Sequence, residues 1–97
     1  MYVIFYVMAY KCFSLYNLYG DYMDTKHSEE YKLLGLNIAY YRKANGLSQE
    51  KLSELVNISR THMSRIETAE CSVSLDVIFE ICKALKITPG KLFDFRK

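Results

Sequence analysis

The stretch SQEKLSELVNISRTHMSRIE, residues 48–67, decides how the surrounding chain folds. Ser48 and Ser59 each precede a run with apolar residues at helical spacing, and serine is a favoured residue at the N-cap of a helix. Asn57 separates the two runs, and asparagine tolerates the left-handed conformation that a tight turn requires. The stretch therefore predicts two short helices joined by a turn of about three to four residues, the helix-turn-helix arrangement.

Three more helices are predicted outward from this stretch. An amphipathic helix runs from Tyr31 to a break at Gly46, because glycine readily takes the left-handed conformation at a helix C-terminus. Ser74 is the expected N-cap of a longer helix, and Pro89 the first residue of the last one. The positions expected to face inward are Leu34, Ile38, Tyr41, Leu52, Leu55, Val56, Met63, Ile66, Leu75, Ile78, Ile81, Cys82, Leu85, Leu92 and Phe93. The chain thus reads as all-α, with five short helices.

Length and composition limit the alternatives. A chain of 97 residues has room for a single core, and its 25% charged and 51% hydrophobic residues are typical of a globular domain. Its three cysteines show no C-x-x-C spacing, which favours a reduced, cytoplasmic protein. Neither the cysteines nor His27 and His62 have the spacing of structural zinc ligands, so no metal is expected. No cofactor is expected either, because the chain lacks a glycine-rich phosphate loop.

An aromatic extension, residues 1–24, precedes the predicted domain at residues 25–97. It opens with the uncharged run MYVIFYVMAY, residues 1–10, and six of the nine tyrosines lie before Met23. Lys11 interrupts the run at half the length of a membrane-spanning helix, and no basic region precedes it as in a secretory signal, so no membrane association is expected. Three interpretations of the extension stay open: a strand or helix that covers an apolar face, a tail that binds a protein partner, or translation from upstream of a natural start. We favour Met23 as that start.

Residues 49–67, QEKLSELVNISRTHMSRIE, strongly resemble the helix-turn-helix of the phage repressor and Cro-like (XRE) transcriptional regulators, and the resemblance extends from about Leu33 to Phe93. It implies a five-helix, lambda-repressor-like domain that binds double-stranded DNA sequence-specifically. It also implies a homodimer on a palindromic operator, acting as a repressor. Two departures from the family pattern are Ser53, where alanine is usual, and Asn57, where glycine is usual.

The resemblance also implies roles for individual residues. The second helix, residues 60–67, lies in the major groove of DNA in this family. The side chains expected to read bases are Arg60, Thr61, Ser64 and Arg65, and those expected at the DNA backbone are Lys43, Ser48, Gln49 and His62. Arg42 and Glu67 match a pair that forms a partly buried salt bridge in similar regulators, so their expected role is structural.

Two other classes of function are a protein-binding module and an enzyme. A helix-turn-helix can serve protein–protein contact, as in an antitoxin that binds its toxin, and the tyrosine-rich extension offers an apolar surface for such a partner. Within the C-terminal aromatic pair, Phe93 is expected in the core and Phe95 at a dimer interface. Enzymatic activity is not expected, because the chain shows no paired carboxylates and no nucleophile with a base and an orienting group.

Overall fold

The computed structural model describes residues 26–96 and is helical over most of that range. The helices are α1 Ser28–Ala44, α2 Gln49–Val56, α3 Arg60–Glu67, α4 Leu75–Leu85 and α5 Pro89–Leu92. No strand occurs among residues 26–96, and the predicted all-α architecture with five helices is confirmed. The extension at residues 1–24, with the Met23 start and the partner-binding tail considered for it, lies outside the described residues. None of the helices within 26–96 is long and apolar enough to cross a membrane.

Serine caps set the starts of three helices. Ser48, Ser59 and Ser74 all have extended backbone, and each side-chain oxygen accepts a hydrogen bond from the backbone N–H three residues further on. These bonds satisfy N–H groups that have no partner inside the helix. α1 begins earlier than the expected Tyr31, at Ser28, with Glu29 and Glu30 in its first turn, where carboxylates favour the positive end of the helix dipole.

Left-handed residues end or link the helices. Gly46, just after α1, has φ of 71°, and Asn57, at the C-cap of α2, has φ of 66°. Both were expected to adopt this conformation. Ala69 and Lys86 also have positive φ, 62° and 60°, although a β-carbon makes that region unfavourable. The backbone after α3 and α4 is therefore held by its surroundings and not by local preference.

Exchanging Ala69 for glycine is expected to raise the free energy of unfolding by about 0.5–1 kcal/mol. The left-handed conformation costs an L-residue about 1–2 kcal/mol, and the greater freedom of glycine in the unfolded chain offsets part of that gain. The melting temperature should rise by about 2–8 °C in a thermal unfolding experiment. Asn57→Gly is the control, with a smaller rise because asparagine tolerates this conformation. An unchanged or lower melting temperature for Ala69→Gly would contradict the prediction.

One core joins all five helices. Its fully or nearly fully buried members are Leu34, Ile38, Leu52, Val56, Met63, Ile66, Ile78, Ile81, Cys82, Leu85 and Leu92. α3 packs between α1 and α2, α4 packs on α2 and α1, and α5 packs against α1 and α4. α3 is thus held by a helix on each of two sides. Burial raises the pKa of the Cys82 thiol, in keeping with its predicted use as a small apolar residue.

Two leucines expected in the core are exposed instead: Leu55 is 50% exposed and Leu75 62%. On α2 the buried arc runs through Leu52, Ser53 and Val56, so Leu55 falls on its far flank. The departure from the family at Ser53 is accommodated here, because its hydroxyl donates to the backbone oxygen of Glu50 at 2.7 Å. Leu75 is the first residue of α4, where the helix surface opens towards solvent.

Phe93, expected in the core, lies outside it, and the dimer interface expected for Phe95 stays a prediction. Phe93 is exposed, whereas Phe95 is half-buried and packs against the core. The side-chain amide of Asn37 on α1 donates to the backbone oxygens of Leu92, at 2.8 Å, and Asp94, at 3.2 Å. These bonds fix the chain after α5 so that the second aromatic ring, and not the first, turns inward.

Candidate nucleic-acid interface

The α2–α3 pair forms a compact helix-turn-helix. The turn consists of left-handed Asn57 followed by Ile58 and the cap Ser59, and Ile58 N–H donates to the Ser53 backbone oxygen at 3.0 Å. Ile58 also packs against the core, so the turn is fixed by an apolar contact as well as by hydrogen bonds. The N-terminus of α3 is consequently held in one orientation relative to α2.

α3 has one buried face and one accessible face. Met63 and Ile66 are buried, at 0% and 3% exposure. The four side chains predicted to read bases lie on the rest of the helix: Arg60 and Thr61 are exposed, and Ser64 and Arg65 are half-buried. His62, predicted at the DNA backbone, is half-buried. The accessible face therefore offers two guanidinium groups and two hydroxyls, donors and acceptors suited to base edges in a major groove.

The predicted partners Arg42 and Glu67 are brought together as a buried ion pair that joins α1 to the end of α3. Arg42 Nε lies 2.7 Å from Glu67 Oε2, and Arg42 Nη2 lies 3.2 Å from Oε1, a two-point contact between side chains that are 9% and 5% exposed. Arg42 Nη1 also donates to the Leu47 backbone oxygen at 2.7 Å. The guanidinium thus ties together α1, the loop before α2, and α3.

Gln49, predicted at the DNA backbone, contacts the same carboxylate. Its Nε2 donates to Glu67 Oε1 at 2.9 Å, which links the first residue of α2 to the last residue of α3. Three helices therefore meet at one carboxylate. A side-chain amide carries two N–H donors, and the contact with Glu67 uses one of those of Gln49. The second can donate to a phosphate oxygen at the N-terminus of α2, where the helix dipole also favours an anion.

The remaining residues predicted at the DNA backbone lie at helix ends. The Ser48 side-chain oxygen accepts from Lys51 N–H at 3.0 Å and so acts as the cap of α2. Lys43 is exposed in the last turn of α1, where a cation also interacts favourably with the helix dipole. Among residues 26–96 no group of three or more His, Cys, Asp or Glu side chains could hold a metal ion.

Gly35 is a structural residue of the site that the sequence reasoning missed. A β-carbon at this position of α1 would lie 2.8 Å from both the carbonyl carbon of Glu67 and the carbonyl oxygen of Ile66. The absence of a side chain thus lets α1 approach the backbone at the end of α3. The available signal was a glycine inside a helical pattern, which is unfavourable relative to alanine unless packing requires it.

These features define a class of protein: a five-helix domain whose helix-turn-helix is braced by a buried ion pair and presents a polar, arginine-bearing recognition helix. A helix-turn-helix family model matches residues 38–92. Control protein C.SmaI of Serratia marcescens is 35% identical over 71 residues, which cover 73% of this chain and 79% of that protein. Control protein C.BamHI of Bacillus amyloliquefaciens is 45% identical over 51 residues, covering 53% of this chain and 63% of that protein.

A solved structure is also similar. The crystal structure of the restriction-modification controller protein C.AhdI from Aeromonas hydrophila superposes with a TM-score of 0.68 at 33% identity, covering 71% of this chain and all of that one. The chain belongs to the XRE-type helix-turn-helix family of sequence-specific, DNA-binding transcription regulators. The family and the fold predicted from residues 49–67 are therefore confirmed, and the matched proteins are regulators and not enzymes.

Proposed function

We propose that this protein controls the transcription of restriction-modification genes by binding an operator with α3 in the major groove. The observation that carries the proposal is the accessible face of α3, with Arg60 and Arg65, on a helix anchored by Met63 and Ile66 below it. The gene context is supported by the similarity to C.SmaI, C.BamHI and C.AhdI, which are control proteins. The proposed place of action is the cytoplasm, because three cysteines without C-x-x-C spacing favour a reducing compartment.

In this proposal the protein acts as a homodimer and as a repressor. An eight-residue helix such as α3 is about 12 Å long and spans about three to four base pairs, too few to specify one site in a genome. Two copies on an inverted repeat, with half-sites about one helical turn apart, double the number of bases that are read. Repression follows if the operator overlaps the promoter.

The DNA contacts are divided between bases and backbone. Arg60, Thr61, Ser64 and Arg65 read base edges, because arginine can bond guanine at two points and the hydroxyls can donate or accept. The phosphates are contacted by Lys43, Ser48, Gln49 and His62. Glu67 and Arg42 hold α3 at the angle that makes both sets of contacts simultaneous.

The experiment that tests this function is selection of binding sites from a random DNA library at moderate salt, followed by a reporter assay with the selected site. An inverted repeat should be enriched, and it should recur upstream of restriction and methyltransferase genes beside this gene. Expression from the reporter should fall when the protein is produced. Enrichment of no motif even at low salt would contradict the proposal and favour the second candidate, an antitoxin-like, partner-binding module. The similarity to control proteins makes that candidate the weaker of the two.

Arg60 and Lys43 are expected to contribute to DNA affinity in different ways. Arg60→Ala should weaken binding to the selected operator by about 5- to 150-fold, or 1–3 kcal/mol, with little effect on unrelated DNA. Lys43→Ala should weaken binding to both and reduce the slope of log affinity against log salt by about one unit. Anisotropy titrations at several salt concentrations measure both effects, with Lys83→Ala on α4 as a control. A uniform loss with Arg60→Ala would reassign Arg60 to the phosphate backbone.

A further inference from the structure

A groove of about 350 Å³ lies away from the recognition helix, between the start of α1, the start of α4 and the chain after α5. No residue of α2 or α3 lines it. Its apolar lining includes Tyr31, Leu34, Leu75, Ile78, Phe93 and Phe95. Leu75 and Phe93 remain 62% and 43% exposed at its mouth. An open apolar groove of this volume holds about a dozen waters, which apolar side chains would displace favourably.

The N-terminal side of the described chain begins at this groove. His27, the residue before α1, and Glu30, in its first turn, form part of the lining. Residue 26 is the first that the structure describes. The 25 residues before it are therefore joined to the domain at the edge of the groove. A tethered segment meets a neighbouring site at an effective concentration in the millimolar range, which no free partner commonly reaches.

The chemistry of the preceding segment matches the groove. Residues 1–10 carry no charged side chain, and residues 12–22 add one phenylalanine, two leucines and three tyrosines. The only charged side chains in residues 1–22 are Lys11 and Asp21. Even a fraction of this length, at up to about 3.3 Å per residue, spans a groove that begins next to its attachment point. A second copy of the domain would cover the groove but would leave this apolar stretch in water, so the chain's own segment is the better match.

We propose that, in the 97-residue chain, apolar side chains from residues 1–22 pack into the groove of the same chain, against Leu75 and Phe93; a chain that began at Met23 would leave the groove open. The segment then covers an apolar surface of the regulator on the side that α2 and α3 do not line. Leu75 and Phe93 are exposed when residues 26–96 are considered alone, because the side chains that cover them belong to the preceding segment.

Limited proteolysis of the full 97-residue chain by chymotrypsin, which cleaves after tyrosine and phenylalanine, tests the proposal. The intact mass first establishes that residues 1–22 are present in the preparation. Leu75→Ala and Phe93→Ala are compared with Leu36→Ala and Phe79→Ala, their controls of equal residue type and nearly equal exposure, 63% and 46%, outside the groove. Circular dichroism melts and the cleavage rate within residues 26–96 report whether each variant is folded.

Cleavage within residues 1–22 should be about fivefold or more faster in the two groove variants, because cleavage follows the population of the open segment. The controls should stay within about a factor of two of the parent, and the rates should not change on 100-fold dilution of the protein. Equal rates in groove and control variants would overturn the proposal. Protection that is lost on dilution would also overturn it, and would assign the groove to a second copy of the chain.

Discussion

Glu67→Ala is expected to lower the free energy of unfolding by about 3–5 kcal/mol, the largest effect of any single change considered for this protein. The substitution leaves the Arg42 guanidinium buried without its carboxylate and removes the acceptor for Gln49, and an uncompensated buried charge is costly. Domains of this kind have only about 5–15 kcal/mol of stability in total. The melting temperature should therefore fall by at least about 12 °C.

The control for Glu67 is Glu54→Ala. Glu54 lies 3.9 Å from Lys51 in an ion pair whose side chains are 62% and 59% exposed, and such pairs contribute between about 0 and 1 kcal/mol. The double variant Arg42→Met with Glu67→Met should lose less free energy of unfolding than the single variants Arg42→Met and Glu67→Met lose together, because it leaves no charge unpaired. Additive effects in the double variant, or a melting temperature for Glu67→Ala close to that of the parent, would show that the pair is energetically unimportant.

Gly35→Ala is expected to lower the free energy of unfolding by about 2–3 kcal/mol although alanine is the better helix former. The added β-carbon meets the backbone at Ile66 and Glu67, and backbone atoms cannot rotate away as the end of a side chain can. α1 and α3 must separate, which also strains the Arg42–Glu67 contact. We expect a fall in melting temperature of about 8–24 °C and a weaker affinity for the operator.

The matched control for this change is Gly90→Ala in α5. A β-carbon there would meet only the Thr88 hydroxyl oxygen, at an ordinary contact distance of 3.9 Å. The control should leave the melting temperature unchanged or raise it slightly, because alanine restricts the unfolded chain more than glycine does. If both alanine variants melt alike, the close approach of α1 to α3 is not what requires glycine at position 35.

Local features of the sequence predicted much of the fold. Serine caps, the left-handed Gly46 and Asn57, and apolar spacing gave the five helices and most of their ends, because these depend on interactions within a few residues. The expectations for Leu55, Leu75 and Phe93 were wrong for a shared reason. Helical spacing identifies an apolar stripe, but which edge of the stripe is covered depends on the neighbouring helices and on the chain after α5.

The candidate site was also predictable from the sequence only in part. The residues on α3 that face away from the core follow from spacing, and the pairing of Arg42 with Glu67 was implied by the family resemblance. The hydrogen bond from Gln49 to Glu67 and the approach of α1 at Gly35 join residues 18 and more than 30 positions apart. No local preference encodes such contacts, because they exist only once the helices have packed.

The sequence by itself therefore determined the five helices and the helix-turn-helix at residues 49–67, since capping, turn formation and amphipathic spacing act over one or two helical turns. The function as a regulator was implied by the family resemblance of the same residues. The tertiary structure decided how the recognition helix is held: by a glycine-permitted backbone contact and one carboxylate shared by three helices. It also decided which apolar side chains, Leu75 and Phe93 among them, remain exposed around a groove. Packing settles these points because burial is a property of the assembled helices and not of any one of them.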